Sequence, residues 1–471
     1  METHLSDFKQ PNFWERNAIV LKLITIGILS LLLLIPSAMI QNLVIERSET
    51  RDNAVKDIYS KWGEQQTISG PILNVPYRVF IKNKEGKVEE SIDYLHFLPE
   101  QLKINGTLNP SVKYRGIYEA ILYNGKLACT GSFIAPDLNG LKVNPESVMW
   151  NDAFFTIGVT DLRGIKEVIK FEVNGKQLIV NPGISIGGVF DSGLSIPVQS
   201  VDASFYQRPI TFNFNLDING SSRLNFWPLG KETIVNLSSP WTTPSFSGAF
   251  LPEPREVNEK GFKATWKVLE LNRNFPQKWT GDQYSFQSAN ENQLAYDGNK
   301  AEVATSAQKS SFEFGVDLLM PVDFYQKVYR SAKYALMFIA LTFTAFFFIE
   351  LVNKKRIHPI QYILVGISLV IFYTLLLSIT EHMFFGWAYL IASGATIILI
   401  TLFTASVLQS KGLAVLMGSL LSALYLFLFI LLQMEDYALL IGSVGLFVIL
   451  GIVMYVSRKV DWYDFRRKEL K

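Results

Sequence analysis

The chain is short of the residues that most often carry chemistry. It has one cysteine, Cys129, and four histidines in 471 residues. A single cysteine excludes an intrachain disulfide and any metal site built on cysteine pairs. A large exported domain without disulfides suits a bacterial envelope better than a eukaryotic cell surface. The sequons at Asn105, Asn219 and Asn236 are therefore read as turn chemistry and not as glycosylation. Charge of one sign is also lacking: 44 Lys and Arg stand against 42 Asp and Glu, a net +2. That balance argues against nucleic acid as a partner. No Walker sequence, H-E-x-x-H or dinucleotide fingerprint is present, and no cofactor or metal site is expected.

Long apolar runs, by contrast, are plentiful. A hydrocarbon core needs roughly 20 apolar residues in a helix, and six stretches qualify: Ala18 to Ile40, Ala332 to Val352, Gln361 to Ile379, Gly386 to Leu408, Gly412 to Leu432 and Tyr437 to Val456. The first is longer than a signal-peptide core. Lys22 near its start can reach the membrane surface. Despite a faint cleavage-like Pro36-Ser37-Ala38, it is expected to stay as an anchor.

The loops between spans fix an orientation. Asn353-Lys354-Lys355-Arg356, Gln409-Ser410-Lys411 and the tail with Arg458, Lys459, Arg466, Arg467 and Lys468 are basic. The alternate connections carry Glu381 and Glu435-Asp436 without Lys or Arg. The basic connections fall on the side of the N-terminus. Both termini are thus expected in the cytoplasm, with the long intervening stretch in the periplasm. The expected plan is a cytoplasmic segment 1–17, a first span 18–40, a periplasmic mainly-β domain with a helical stalk over 41–330, a five-helix bundle over 332–456 and a basic tail 457–471.

Within the outer stretch, Ile45 to Trp62 reads as a charged helix continuing the first span, ended by Ser69-Gly70-Pro71. The period then changes to two. Ile210, Phe212, Phe214, Leu216 and Ile218 alternate with Thr211, Asn213, Asn215 and Asp217, as in a half-buried strand. The same holds around Phe262 to Val268 and Phe312 to Leu318. Asn124-Gly125, Asn174-Gly175 and Asn219-Gly220 read as hairpin turns. The fold class is a membrane protein of six transmembrane helices, one plus five, with a large sandwich-like β domain inserted between the first and second.

The order of short motifs resembles the CreD family of inner membrane proteins over nearly the whole chain. The matching segments include Leu34-Ile35-Pro36, Val44-Ile45-Glu46-Arg47, Ser69-Gly70-Pro71, Gly116-Ile117-Tyr118 and Val159-Thr160-Asp161-Leu162-Arg163-Gly164. Trp241 with Pro244-Ser245-Phe246 follows, then Pro321-Val322-Asp323-Phe324-Tyr325, His358-Pro359-Ile360-Gln361-Tyr362, Glu381-His382 and Asp461-Trp462-Tyr463-Asp464-Phe465. The resemblance implies a role in cell-envelope integrity or envelope stress and brings no catalytic activity with it. Thr242-Thr243 departs from the family, where a His is expected before the Pro.

Candidate functional residues are few. Gly183-Ile184-Ser185-Ile186-Gly187 matches G-x-S-x-G, but its flanks are β-like and His96, the outer domain's one histidine, precedes the serine, against a nucleophile elbow. His96 itself reads as structural. Asp161 with Arg163 is a binding pair or, more blandly, a turn-stabilising one. Lys333 flanks the second span. Glu381 and His382 end the third and are the best placed for a proton- or ligand-linked role, because a His beside a carboxylate titrates near neutral pH; a helix cap is the plainer reading. The leading expectation is a non-enzymatic protein whose outer domain binds or senses an envelope component, its partners being the lipid bilayer and an envelope protein or cell-wall component. A transporter of an envelope solute is the alternative, and a membrane-bound envelope enzyme a third.

Overall fold

The computed structural model describes residues 18–82, 88–185, 188–198, 203–286, 312–320, 324–353, 355, 357–434 and 437–458. Segment 1–17, Lys354, Arg356, Glu435-Asp436, Pro321-Val322-Asp323, Ile186, Gly187 and the tail from Lys459 lie outside them. The chain divides into two compact units: residues 53–321, and residues 1–52 together with 322–471.

Six helices in the described residues are long and apolar enough to cross a membrane: Val20–Trp62, Ala335–Asn353, Pro359–Thr380, Phe385–Leu408, Lys411–Gln433 and Ala438–Ser457. The first is broken at Leu33 into Ala18–Leu32 and Leu34–Trp62. Pro36 explains the break, since it has no N–H for the Leu32 carbonyl and its ring crowds that position. The start of Pro359–Thr380 is written into the sequence. The His358 ring accepts from the Ile360 N–H at 3.3 Å, Gln361 Oε1 accepts from the His358 N–H at 3.0 Å, and Pro359 fills the first turn. That arrangement satisfies donors a helix start otherwise leaves bare. Ser410 caps Lys411–Gln433 in a similar way, accepting from the Leu413 N–H at 3.5 Å. Apolar side chains such as Leu364, Ile371, Trp387, Leu390, Ile398 and Leu402 remain exposed along these helices, as a lipid-facing surface requires.

The other unit is mainly β, in two sheets of nine and eight strands among the described residues. The nine-stranded sheet is built around Gln66–Lys82, which pairs with Val88–Phe97 and Phe154–Val159 and, in parallel, with Arg223–Phe226. The eight-stranded sheet carries Gln101–Arg115, Tyr118–Phe133, Ile210–Ser221, Glu232–Ser239 and Gly261–Leu269 at its centre. Alternation decides which side of each strand is inside. Ile210, Phe212, Phe214, Leu216 and Ile218 are buried, while Thr211, Asn213 and Asn215 between them are exposed. One apolar core unites both sheets, with Phe155 and Val159 of one packed in it beside Phe133, Phe171 and Phe212 of the other. This is the sandwich expected from the period of two. Phe154–Val159 is buried at every position. On its second face Gly158 lies against Phe190 of a smaller aromatic cluster that includes Trp227, Phe275, Trp279 and Phe286.

Three local expectations need correction. The helix Leu34–Trp62 stops at Gly63, whose φ of 146° suits glycine, and Ser69-Gly70-Pro71 lies inside the strand Gln66–Lys82. Of the three Asn-Gly pairs, Asn174-Gly175 alone is a tight hairpin, with φ of 49° and 79° joining Phe171–Val173 to Lys176–Leu178. Asn124-Gly125 and Asn219-Gly220 face each other across two long strands. Glycine is needed there for close approach: a Cβ on Gly220 would sit 2.3 Å from the Tyr123 hydroxyl, and one on Gly125 3.1 Å from Leu108.

Candidate functional site

Asp161 and Arg163 are brought together as a tie between segments of the β unit. Asp161 starts a short helical turn, its carboxylate accepting from the Arg163 N–H at 3.0 Å and the Glu64 N–H at 2.9 Å. The Arg163 guanidinium returns to Asp161 at 2.9 and 3.0 Å, donates to the Ser60 carbonyl at 2.7 Å and reaches Glu64 at 3.1 Å. Burial works against ionisation of Asp161, but these donors outweigh it and hold the carboxyl below the usual range. Gln66 completes the knot by donating to the Asp161 carbonyl at 3.0 Å. Every Asp161 oxygen is therefore engaged in holding the end of the helix Leu34–Trp62 onto the sandwich.

Glu381 and His382 do not form a pair. The Glu381 carboxylate accepts from the Tyr325 hydroxyl at 3.1 Å, and the Arg51 guanidinium lies over the Tyr325 ring at 5.2 Å. His382 is exposed. Lys333 ends the helix Phe324–Lys333 and folds back over Tyr329, 4.6 Å from its ring, a favourable place for a cation. Ser185 shares a hydrogen bond with the Ser195 hydroxyl at 3.0 Å. His96, fully buried, pairs with Asn74 at 2.7 Å and stacks on Trp279 at 4.9 Å.

An ion pair in the helical unit escaped the sequence reading. Lys22 and Glu350 meet directly, Lys22 also donates to the Ile357 carbonyl at 3.0 Å, and Glu350 accepts from the Ile357 N–H and from the Tyr362 hydroxyl, both at 3.1 Å. Glu350 is the sole acidic residue in the five C-terminal spans. Its charge is neutralised by the first span, and the group fastens that span to the connection between the second and third.

An open feature of the β unit lies on the outer face of the eight-stranded sheet. It is a depression of about 730 Å³. The ladders align its side chains in rows across five strands. One row reads Thr265, Asn236, Asn105, Ala128, Asn215, and the next Lys263, Ser238, Thr107, Lys126, Asp217. The first row is cross-linked: Asn236 donates to Asn105 at 2.9 Å and Thr265 to Asn236 at 2.8 Å. Ala128 leaves a dip between Asn105 and Asn215. At one side Asn124 holds Asp217 at 2.6 Å, and the loop carrying Glu167 is pinned by the Lys166 N–H to the Asp217 carbonyl at 3.0 Å. Asn105 and Asn236, read from sequence as turn residues, are instead strand residues at the middle of this face. The signal was the polar half of each alternation, which in the sequence means only "outside". Among the described residues no cluster of His, Cys, Asp and Glu could hold a metal.

Comparison with known proteins places the chain. The family model for the inner membrane protein CreD matches residues 18–463. The Inner membrane protein CreD of Escherichia coli K12 is 32% identical over 466 residues, covering 98% of this chain and 96% of that protein. Among solved structures, an M1 zinc metallopeptidase from Deinococcus radiodurans aligns at 9% identity with a TM-score of 0.17, over 37% of this chain and 39% of the other. On the first two of these matches, the chain belongs to the CreD family of inner membrane proteins.

Proposed function

We propose that this protein supports envelope integrity by binding an envelope component through the polar face of its β domain, without transforming it. The observation that carries this reading is the depression itself: a preorganised lattice of amides and hydroxyls, open to solvent, at the centre of the eight-stranded sheet. Such a lattice provides paired donors and acceptors. The hydroxyls of Thr107, Ser238 and Thr265 make no hydrogen bond to a His or a carboxylate among the described residues, and the buried His96 is committed to Asn74 and Trp279. The helices anchor the domain in the bilayer. The basic connections at Lys355, Lys411 and Arg458 support an orientation with both termini in the cytoplasm and the β domain in the periplasm.

The test is photo-crosslinking in intact cells. A photoreactive residue at Thr107 or Asn215, on the polar face, is expected to capture an envelope component. One at Leu251, an exposed residue outside the depression, is expected to capture none. Equal capture from both positions, or none from either, contradicts the reading.

A further inference from the structure

We infer that the polar face holds an extended chain of N-acetylated sugars; this rests on the binding role proposed above and names its ligand class. Cross-strand neighbours are about 4.8 Å apart, so five strands make a track of about 19 Å, long enough for several pyranose rings. The lining supplies the chemistry. Asn105, Asn215 and Asn236 each both donate and accept, and Thr107, Ser238 and Thr265 are hydroxyls. Groups of this kind pair with partners that also donate and accept, namely sugar hydroxyls and acetamides. An acetamide matches an Asn side chain in both directions.

Other ligand classes fit less well. No aromatic ring lines the depression; of its apolar lining residues Leu127, Leu216, Leu237 and Ala264 are buried beneath it and Ala128 alone is exposed, so an acyl chain gains little there. Lys126 and Lys263 are balanced by Asp217 and Glu167, so a polyanion gains no net attraction. An extended peptide binds sheets by adding to an edge, where backbone groups are free. Here the middle strands are paired on both sides, and recognition falls to side chains alone.

The fixed and free groups are divided as a binding surface requires. Asn236, Asn105 and Thr265 are held by one another. Asn215, Thr107, Ser238, Lys126, Lys263 and Glu167 flank them with no hydrogen bond or ion pair from their side chains among the described residues. Without ring stacking each sugar contributes little, so affinity accumulates with length. A tetramer is expected to bind on the order of 10-fold more tightly than a dimer, from a few added hydrogen bonds.

The experiment is calorimetric titration of the full-length protein in nanodiscs with the N-acetylglucosamine tetramer, its dimer and the glucose tetramer. The N-acetylated tetramer should bind, and the glucose tetramer on the order of 10-fold more weakly. Asn105→Ala should weaken binding about 5-fold. Ala128→Arg, which fills the dip from an exposed position, should abolish binding with an unchanged thermal melt; Asn215→Ala serves as the milder variant if that protein does not fold. Absence of tetramer binding, or binding indifferent to Ala128→Arg and Asn215→Ala, overturns the inference. If the tetramer fails to bind while crosslinking from Asn215 captures a protein, the sugar assignment is wrong and the binding surface stands. If both fail, both are wrong.

Discussion

Acidification should weaken the β domain through one residue, His96. Its ring is fully buried, bonded through Nδ1 to Asn74 and stacked on Trp279. Asn74 is itself fixed by donating to the Thr156 hydroxyl at 2.7 Å. Burial pushes the imidazole from 6.5 down to about 4, against the pull of Asp93 and the Gly281 backbone in the other direction. The unfolded chain therefore binds a proton that the folded one refuses between those values. Stability from this site is full above about pH 6.5 and falls as the pH drops towards 4. The whole drop is about 3 kcal/mol. The assay is denaturant unfolding of the full-length protein, followed by Trp fluorescence from pH 7.5 to 4. His96→Gln is run in parallel to subtract the carboxylates. The difference between the two proteins should change by about 3 kcal/mol across the window. A difference flat with pH would show that the imidazole is not excluded from protonation, and the reasoning from burial would fail.

Other outcomes follow from the same geometry. Glu350→Gln leaves Lys22 without its carboxylate and should cost about 2 kcal/mol in thermal melts, whereas Lys22→Met with Glu350→Leu should recover most of it. Gly220→Ala places a methyl against the buried Tyr123 hydroxyl and should destabilise by about 2 kcal/mol by denaturant titration. Asp161→Ala removes the acceptor shared by Glu64, Arg163 and the turn; about 2 kcal/mol should be lost, with faster proteolysis near Ser60. Cys129 is buried, and burial pushes its thiol up to about 12, so maleimide should react with it only after denaturant is added.

The sequence carries the layout and the structure carries the site. Span lengths and the alternation at Ile210 to Ile218 are local patterns, so the one-plus-five helices and the sandwich were legible. Asn-Gly misled because its preference for turns is also local. Whether Gly125 and Gly220 turn the chain or let two strands pass closely depends on Leu108 and Tyr123, which are distant in sequence or on another strand. The Lys22–Glu350 pair was readable in principle. Lys22 stands near the start of the first span and Glu350 near the end of the second, at a common depth under the expected topology. Read singly, each passes for an interfacial residue. The polar face was least legible, because Thr265, Asn236, Asn105, Ala128 and Asn215 come from five strands and form a row only through register.

The proposed binding role requires that face to stand outside the cytoplasm. The most direct measurement is labelling of spheroplasts with a membrane-impermeant maleimide, with cysteine placed at Thr107, on the face, or at Lys411, in a basic connection. Native Cys129 is buried and gives no background. Labelling of the residue-107 cysteine in sealed spheroplasts, and of the residue-411 cysteine only after lysis, is the predicted result. The reverse pattern would contradict the orientation and the binding role with it.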